Sequence, residues 1–366
     1  MLACVASVKT GVHRPSVPSA QAANYLFLRF AESIRPRVER RLRQRLSAEL
    51  RSSKLLGPQA VSVCHALVDV CLRGGKRSRA ALVAVGGRCF GRQSNDALLL
   101  EIGAAVEVLH TYFLVHDDWI DGDLVRRGGP SAHAQLRQLY GTALGDAAGV
   151  LAGDWGSVVA NQWMTSLTLP QRRLTKVLAV FAAMQRAAIG GQLRDLLATD
   201  SRIEQTYRLK TASYTVEGPL ALGALASGAG PRELDVIRKF AEPTGVAFQL
   251  RDDLIGLFAS PKQTGKPFGS DLRAGKRTAV ASHALRVAKG TDKRVIVRAF
   301  GNPTATALEL REAVRSIDRV GSRSYVESRI DQLIATACGH LDSTRVTDEA
   351  RALLTSAAFT LALRSR

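Results

Sequence analysis

The stretch ALLLEIGAAVEVLHTYFLVHDDWIDGD, residues 97–123, decides the fold class. Its apolar residues recur at spacings of three and four, the period of an α-helix with one buried face. These residues are Leu98, Ile102, Ala105, Val106, Leu109, Phe113 and Leu114. The same period continues through most of the chain from about residue 24, and no run of five or more residues alternates as a strand does. We therefore predict an all-α fold of ten or more helices.

Gly- and Pro-rich segments mark the ends of the predicted helices without dividing the chain into halves. They lie at 122–131, around Pro170, and at 227–233, 260–270 and 301–304. We therefore predict one domain over residues 24–366, preceded by a disordered extension over residues 1–23. The first acidic residue is Glu32, so the composition of the extension also fits a transit peptide. Both interpretations stay open.

The charge balance points to an anionic partner. The chain of 366 residues has 51 Lys and Arg against 32 Asp and Glu, a net charge of +19. Nucleic acid, an acidic membrane surface or a phosphorylated small molecule would fit. The densest basic run, residues 35–54, carries Val38, Leu42, Leu46 and Leu50 at four-residue steps. That spacing favours a solvated amphipathic helix, with membrane or nucleic-acid contact as the alternative.

Cysteine usage and hydropathy predict a cytoplasmic protein without a transmembrane segment. The five cysteines form no CxxC pair and are odd in number, which argues against a disulfide scaffold or a zinc ribbon. No stretch reaches the roughly 18 uninterrupted apolar residues that a membrane span needs.

Four aspartates fall within seven residues at the end of the quoted stretch: Asp117, Asp118, Asp121 and Asp123. On a helix, Asp117 and Asp121 share a face, where their like charges repel unless a cation compensates them. Carboxylate oxygens suit Mg²⁺, which also binds substrate phosphates. A chance cluster on a solvated helix end is the alternative.

A second acidic pair, Asp252 and Asp253, also follows an apolar helical run. Two such clusters in one helical chain can face each other across a cavity. Mg²⁺ ions held on both sides could then clamp one diphosphate between them.

Basic motifs occur where a diphosphate would need them. The glycines of GGKRSR, residues 74–79, let the backbone approach an anion closely. Arginines in the Gly-rich loop after the first acidic cluster offer planar contacts to phosphate oxygens. The candidate cations are Lys76, Arg79, Arg126, Arg127, Lys210, Lys266 and Lys276. Each is weak alone, since surface Lys and Arg are usually only solvated.

The order of these motifs is specific. GGKR, DDxxD, RRG, GQxxDL, KT, FQxxDD, GK and DLxxGKRT follow one another from about Cys71 to Thr278. In this respect the chain resembles the polyprenyl (isoprenyl diphosphate) synthase family. The resemblance implies a helical bundle around a deep central cavity, usually in a homodimer, with Mg²⁺, three ions per site, as cofactor. It implies condensation of isopentenyl diphosphate with an allylic diphosphate, head to tail, and no nucleic-acid partner.

The resemblance also assigns roles, position by position. The implied metal ligands and their supporting carboxylates are Asp117, Asp118, Asp121, Asp252 and Asp253, with Asp118 and Asp253 as supports. The implied isopentenyl diphosphate contacts are Lys76, Arg79, His110 and Arg127. The implied allylic diphosphate site comprises Arg126, Lys210, Thr211, Gln249, Lys266 and Lys276. Thr211 and Gln249 lie near the developing cation, and Gln192 and Asp195 form a supporting polar pair.

Two features bear on activity and product. Gly256 stands where many members have a third aspartate, but the first aspartate usually carries the metal, so activity is expected to survive. Tyr112 and Phe113 precede Asp117 by five and four residues, about one helical turn, where their rings would floor the cavity. Such rings favour a short product, C15 or C20. The alternative is that both rings pack in the core without touching product.

Three other functions compete. A class I terpene cyclase would share the fold but lacks the GGKR and RRG motifs for a second diphosphate. A non-catalytic regulatory subunit of a heteromeric synthase conflicts with the intact motifs. A helical nucleic-acid-binding protein would explain the charge but not two acidic clusters that would repel phosphate without metal.

Overall fold

The computed structural model describes residues 20–197, 202–260, 268–342 and 345–362, with side chains from residue 25 onward. In chain order the elements are α1 (Ala20–Ser53), a 3₁₀ turn (Lys54–Leu56), α2 (Pro58–Leu72), α3 (Ser78–Arg88), α4 (Asp96–Asp121), β1 (Val125–Arg126), β2 (Gly129–Pro130), α5 (Ala132–Tyr140), α6 (Thr142–Thr165), α7 (Gln171–Leu197), α8 (Ile203–Tyr207), a π-helix (Arg208–Glu217), α9 (Gly218–Ala226), α10 (Pro231–Phe258), α11 (Ser270–Arg273), α12 (Ala279–Val287), α13 (Gly290–Ala299), α14 (Ala307–Arg319), α15 (Ser322–Asp342) and α16 (Asp348–Ala362).

The all-α prediction is confirmed. The β1–β2 hairpin, with Val125 opposite Pro130 and Arg126 opposite Gly129, is the one sheet within the described residues. It occupies the Gly-rich segment that the sequence predicts as a break between helices. Helix α1 begins at Ala20, four residues before the predicted domain boundary, and residues 1–19 lie outside the described part of the chain.

Helix α4 is the central helix, and its ends are set by local chemistry. The Asn95 side chain caps its first turn by accepting hydrogen bonds from the backbone N–H groups of Ala97 and Leu98. Gly122, in the left-handed conformation, ends the helix directly after Asp121. The acidic cluster therefore lies in the last turn of α4, at the rim of the bundle.

The hydropathy of α4 is explained by its place in the core. Within the described residues it is the one helix long and apolar enough to cross a membrane, and 67% of its most apolar window is buried. It packs against α1, α2, α3, α6 and α9.

Close helix packing fixes the elements that carry the basic motifs. Helices α3 and α9 approach so tightly that a Cβ on Gly223 would lie 1.9 Å from the Val83 carbonyl oxygen. A Cβ on Gly86 would lie 2.1 Å from the Leu220 carbonyl oxygen. The start of α3, which carries Arg79, is thereby held against the π-helix that precedes α9.

The predicted amphipathic helix over residues 35–54 forms most of the second half of α1. Val38, Leu42 and Leu46 are buried and Leu50 is half-buried, so the four-residue spacing defines its inner face as expected. Arg37, Arg40 and Arg43 on the other face are exposed.

Candidate active site

A cavity of about 1090 Å³ opens between α3, α4, α7, the π-helix and α10. The predicted site residues that line it are Lys76, Arg79, His110, Tyr112, Phe113, Asp117, Asp121, Arg126, Arg127, Gln192, Lys210, Thr211, Gln249 and Asp252. The fold thus brings both acidic motifs and most of the basic motifs to the wall of one cavity. In the sequence these residues are up to 176 positions apart, from Lys76 to Asp252.

The carboxylates of Asp117 and Asp121 on α4 and of Asp252 on α10 line this cavity. Burial raises the pKa of Asp117, Lys210 opposes the shift, and neighbouring Asp121 adds to it. Ionisation of Asp117 in this environment therefore costs free energy, and a bound cation would remove that cost.

Asp118 and Asp253 have supporting positions. Asp118 is fully buried and accepts hydrogen bonds from the Arg126 Nε at 2.8 and 3.1 Å and from the second guanidinium nitrogen. Asp253 accepts hydrogen bonds from the Tyr207 hydroxyl and from the Gln249 amide, the latter at 3.1 Å. Burial raises the pKa of Asp253 to about 7.

Lysines neutralise other acids of the site. Lys276 donates to Asp121 at 2.7 Å, and Lys210 donates to Asp195 at 2.5 Å. Burial lowers the pKa of each lysine, but attraction to Asp121 and Asp195 respectively outweighs that effect and raises it, so both carry a charge. Asp121 and Lys210 line the cavity, and Lys276 and Asp195 lie behind them as their charged partners. Lys266 lies outside the described residues.

Two arginines in the segments that carry the basic motifs have a strained backbone conformation. Among the described residues, Arg77 and Arg127 are the non-glycine residues with positive φ, at 49° and 50°. Arg127 and Gly128 form the two left-handed central residues of the hairpin turn, a conformation that suits the strand twist but is unfavourable for arginine. Strain of this kind is typical of functional sites. Both residues line the cavity.

Arg77 and Arg73 hold the basic loops in place, which the motif pattern alone did not reveal. Buried Arg77 faces Glu107 at 3.5 Å and donates to the Cys71 carbonyl at 2.9 Å. Arg73 donates to the carbonyls of Arg126 and Pro130 at 3.0 and 2.7 Å and so clamps the hairpin.

Uncharged polar groups complete the wall. The Thr211 hydroxyl donates to the Gln249 side-chain oxygen at 2.6 Å. Burial, reinforced by Arg79 and other arginines, lowers the pKa of His110 well below its usual value, so the ring is neutral. The His110 Nδ1 and the Gln192 Oε1 are buried without a hydrogen-bond partner in the described structure. Unsatisfied polar atoms that line a cavity are suited to a polar ligand.

The π-helix supplies Lys210, Thr211 and Tyr214 to the cavity. Pro219 follows it and lacks the N–H that an α-helical ladder would offer to the Thr215 carbonyl. The Thr215 side-chain hydroxyl accepts a hydrogen bond from Arg79 at 2.8 Å. The Arg79 guanidinium also stacks on the Tyr214 ring, 4.8 Å from its centroid.

Tyr112 and Phe113 line the cavity one turn before Asp117, as the helical spacing predicts. Their ring centroids are 4.7 Å apart, and Phe113 lies 4.8 Å from Tyr214. Together the three rings form an aromatic wall below the acidic cluster.

The space beside Gly256, where a third aspartate would extend, is filled by the Asp271 side chain of α11. A Cβ at Gly256 would lie 2.6 Å from the Asp271 carboxylate oxygen, so a third aspartate could not stand there unless Asp271 moved. The DLxxGKRT motif contains Asp271, but only the folded chain shows that it reaches the second acidic motif.

The donor set fits a divalent cation that completes its shell with substrate. Within the described ranges no group of three or more His, Cys, Asp or Glu side chains forms a metal site by itself. The carboxylates of α4 and α10 are hard oxygen donors, so diphosphate oxygens and water would have to supply the remaining ligands.

Comparisons with known proteins agree with this geometry. A model of the polyprenyl synthetase family matches residues 61–317. A geranylgeranyl diphosphate synthase of Sulfolobus acidocaldarius is 34% identical over 71% of this chain and 80% of its own. A farnesyl diphosphate synthase of Escherichia coli is 34% identical over 65% of this chain and 81% of its own.

A solved structure shares the fold closely. The geranylgeranyl pyrophosphate synthase of Corynebacterium glutamicum, crystallised with isoprenyl diphosphate and magnesium, superposes with a TM-score of 0.85 and 31% identity. The match covers 92% of this chain and 99% of that one.

The two adjacent aspartates of α4 should respond oppositely to neutralisation. We expect Asp118→Asn to lower the free energy of unfolding by on the order of 3 kcal/mol, because Arg126 loses its buried partner. Asp117→Asn should leave stability unchanged or higher, since burial disfavours the charge that it removes. Chemical denaturation of both variants measures the difference, and equal losses would contradict the assigned roles.

Proposed function

Because the chain belongs to the polyprenyl synthetase family, we propose that it condenses isopentenyl diphosphate head-to-tail with an allylic diphosphate and releases pyrophosphate. The observation that carries this proposal is the cavity that both acidic motifs and the GGKR, RRG and KT motifs line, above an aromatic wall. Such a cavity offers charge for two diphosphates at one end and apolar space for a growing chain at the other.

We propose Mg²⁺ as the cofactor, three ions per site, held by Asp117, Asp121 and Asp252. Magnesium bound there would neutralise the negative charge that develops on the leaving pyrophosphate. The Corynebacterium relative was crystallised with magnesium, which supports the choice of metal.

The chain's own residues prepare the bond cleavage. Arg126 and Lys210 lie where they can bind the allylic diphosphate, and Lys76, Arg79 and Arg127 where they can bind isopentenyl diphosphate. Positive charge fixed in a poorly solvated cavity stabilises the developing pyrophosphate without reorganisation. Ionisation of the allylic carbon–oxygen bond then leaves an allylic cation.

The polar wall stabilises that cation and no side chain needs to act as nucleophile. The side-chain oxygen of Gln249 is fixed by its hydrogen bond from Thr211, so its dipole can point at the cation. The isopentenyl double bond attacks the cation, and the proton lost in the last step goes to the departing pyrophosphate. Neutral His110 serves as a hydrogen-bonding group for the diphosphate.

Loss of a metal-binding carboxylate tests this function. We expect Asp117→Ala and Asp252→Ala each to lower turnover by at least about 100-fold, because charge on the leaving group is no longer neutralised. The assay is incubation with magnesium, isopentenyl diphosphate and, in turn, the C5, C10 and C15 allylic diphosphates. Asp331→Ala, at an exposed acid on α15, is the control and should keep full activity. Normal turnover in both cavity variants would refute the assignment.

We propose a short-chain product, C15 or C20, because Tyr112 and Phe113 close the cavity one turn below Asp117. The chain has relatives that make farnesyl and geranylgeranyl diphosphate, so both lengths occur among similar proteins.

Removal of both rings should lengthen the product. In Tyr112→Ala/Phe113→Ala the space beneath the acidic cluster grows by two side chains, and the main product should gain at least about one C5 unit. Chromatography of the dephosphorylated products measures this. Tyr112→Phe keeps the ring and should keep the wild-type length; an unchanged profile in the double variant would show that the rings do not limit elongation.

We propose that the protein is a homodimer that buries α6. Leu144, Leu151 and Val158 are spaced by seven residues on α6 and are 68%, 58% and 65% exposed, with exposed Leu139 of α5 as a further apolar residue. Side chains at a seven-residue spacing share a helix face, and a stripe of exposed apolar residues on a surface indicates an interface.

A charge in this stripe should break the dimer. We expect Leu151→Glu to shift the protein from dimer to monomer, as measured by light scattering on a sizing column, since an unpaired carboxylate would be buried in the interface. Leu308→Glu on α14, at a residue of similar exposure, should leave the mass unchanged. A monomeric wild type would contradict the proposal outright.

We further propose a cytoplasmic location and a domain that starts near residue 24. Cys64, Cys71 and Cys89 are buried as free thiols, which suits a reducing compartment.

A further inference from the structure

A second cavity, of about 800 Å³, lies on the other side of α10 from the active site. Its wall comes from α8, α10, α12 and α15 and from the chain before α12. Leu250 faces it, whereas the neighbouring Gln249 faces the first cavity. Similarly, Arg277 lines the second cavity, while the preceding Lys276 donates to Asp121 of the active site. The second cavity is therefore separate from the proposed active site.

Arginines dominate its charge. Among the described lining residues four are arginines, namely Arg202, Arg277, Arg286 and Arg329, and one is acidic, Glu204. Glu204 accepts two hydrogen bonds from Arg329, at 2.7 and 2.8 Å, so this pair neutralises itself. Arg277 and Arg286 add positive charge to the cavity wall. Positive charges brought together from separate elements repel one another, so the cavity favours binding of an anion that compensates them.

The cavity also has an aromatic wall. The rings of His283 and Tyr325 stack at 4.0 Å between centroids with an angle of 14° between planes. His283 is fixed from behind by a hydrogen bond between its Nδ1 and the Ser322 hydroxyl, at 2.9 Å. Tyr325 remains 50% exposed. One more flat ring would extend this stack.

We propose that the second cavity binds a small anion with a diphosphate group, held by Arg277 and Arg286. Guanidinium groups form paired, charge-assisted hydrogen bonds with phosphate oxygens. The chemistry fits two sources: free pyrophosphate and the diphosphate of a nucleotide. The volume is in the range of small-molecule sites and exceeds the needs of bare pyrophosphate. It leaves room for the base of a nucleotide to stack on Tyr325.

Calorimetric titration of the full chain with inorganic pyrophosphate and with ADP, both without metal, tests the proposal. Arg286→Gln should weaken the binding of either ligand about tenfold, and Arg277→Gln/Arg286→Gln should weaken it further. Arg294→Gln, at an exposed arginine on α13 outside the cavity, removes the same charge and should bind like wild type. Any diphosphate binding in the active-site cavity is common to all these proteins, so the difference between them reports the second cavity.

Tyr325→Leu separates the two sources. A loss of roughly tenfold for ADP, with pyrophosphate unchanged, would identify a nucleotide, because base stacking on an aromatic ring contributes on that scale. No loss for either ligand would identify the diphosphate alone. Unchanged affinity in the Arg277→Gln/Arg286→Gln variant, or an equal loss in Arg294→Gln, would overturn the proposal.

Discussion

The ion pair between Asp118 and Arg126 is the interaction on which the geometry of the site depends. It joins the last turn of the central helix α4 to the hairpin, so the acidic and basic motifs cannot move independently. Asp118 is fully buried. Its partner, Arg126, directly precedes Arg127, the residue in the left-handed turn, so the ion pair also fixes the start of that turn. A buried pair of this kind contributes little net stability, but it fixes one arrangement, because a charge without its partner is costly there. Its value is positional.

The sequence predicts the fold class and most of the site, but not how the site residues divide the work. Helical period and motif order suffice to bring Asp117, Asp121 and Asp252 to one cavity, because each follows an apolar helical face that must be buried. They do not show that Arg126 binds Asp118, since Arg126 and Arg127 are chemically alike and adjacent. Only the folded hairpin, which places Arg126 in strand β1 and Arg127 in the left-handed turn, tells them apart.

Features that arise from distant contacts escape local patterns altogether. Asp271 on α11 reaches Gly256 on α10, and Arg73 clamps the hairpin from the end of α2. No helical or strand spacing relates either residue to its partner. The π-helix is another example: the sequence predicts only a helix there, whereas the structure has a π-helix that contributes Lys210, Thr211 and Tyr214 to the cavity. The second cavity likewise brings together arginines from separate elements.

The charged side chains of the active site compensate one another. Lys276 binds Asp121 and Lys210 binds Asp195, so the metal and diphosphate that we propose for this site would have to exchange these pairs for new ones. A cation beside Asp121 releases Lys276, and a diphosphate offers each lysine a stronger acceptor than a single carboxylate. Binding of either component alone would leave one set of charges without partners. Metal and diphosphate are therefore expected to bind cooperatively, since each supplies the partners that the other displaces.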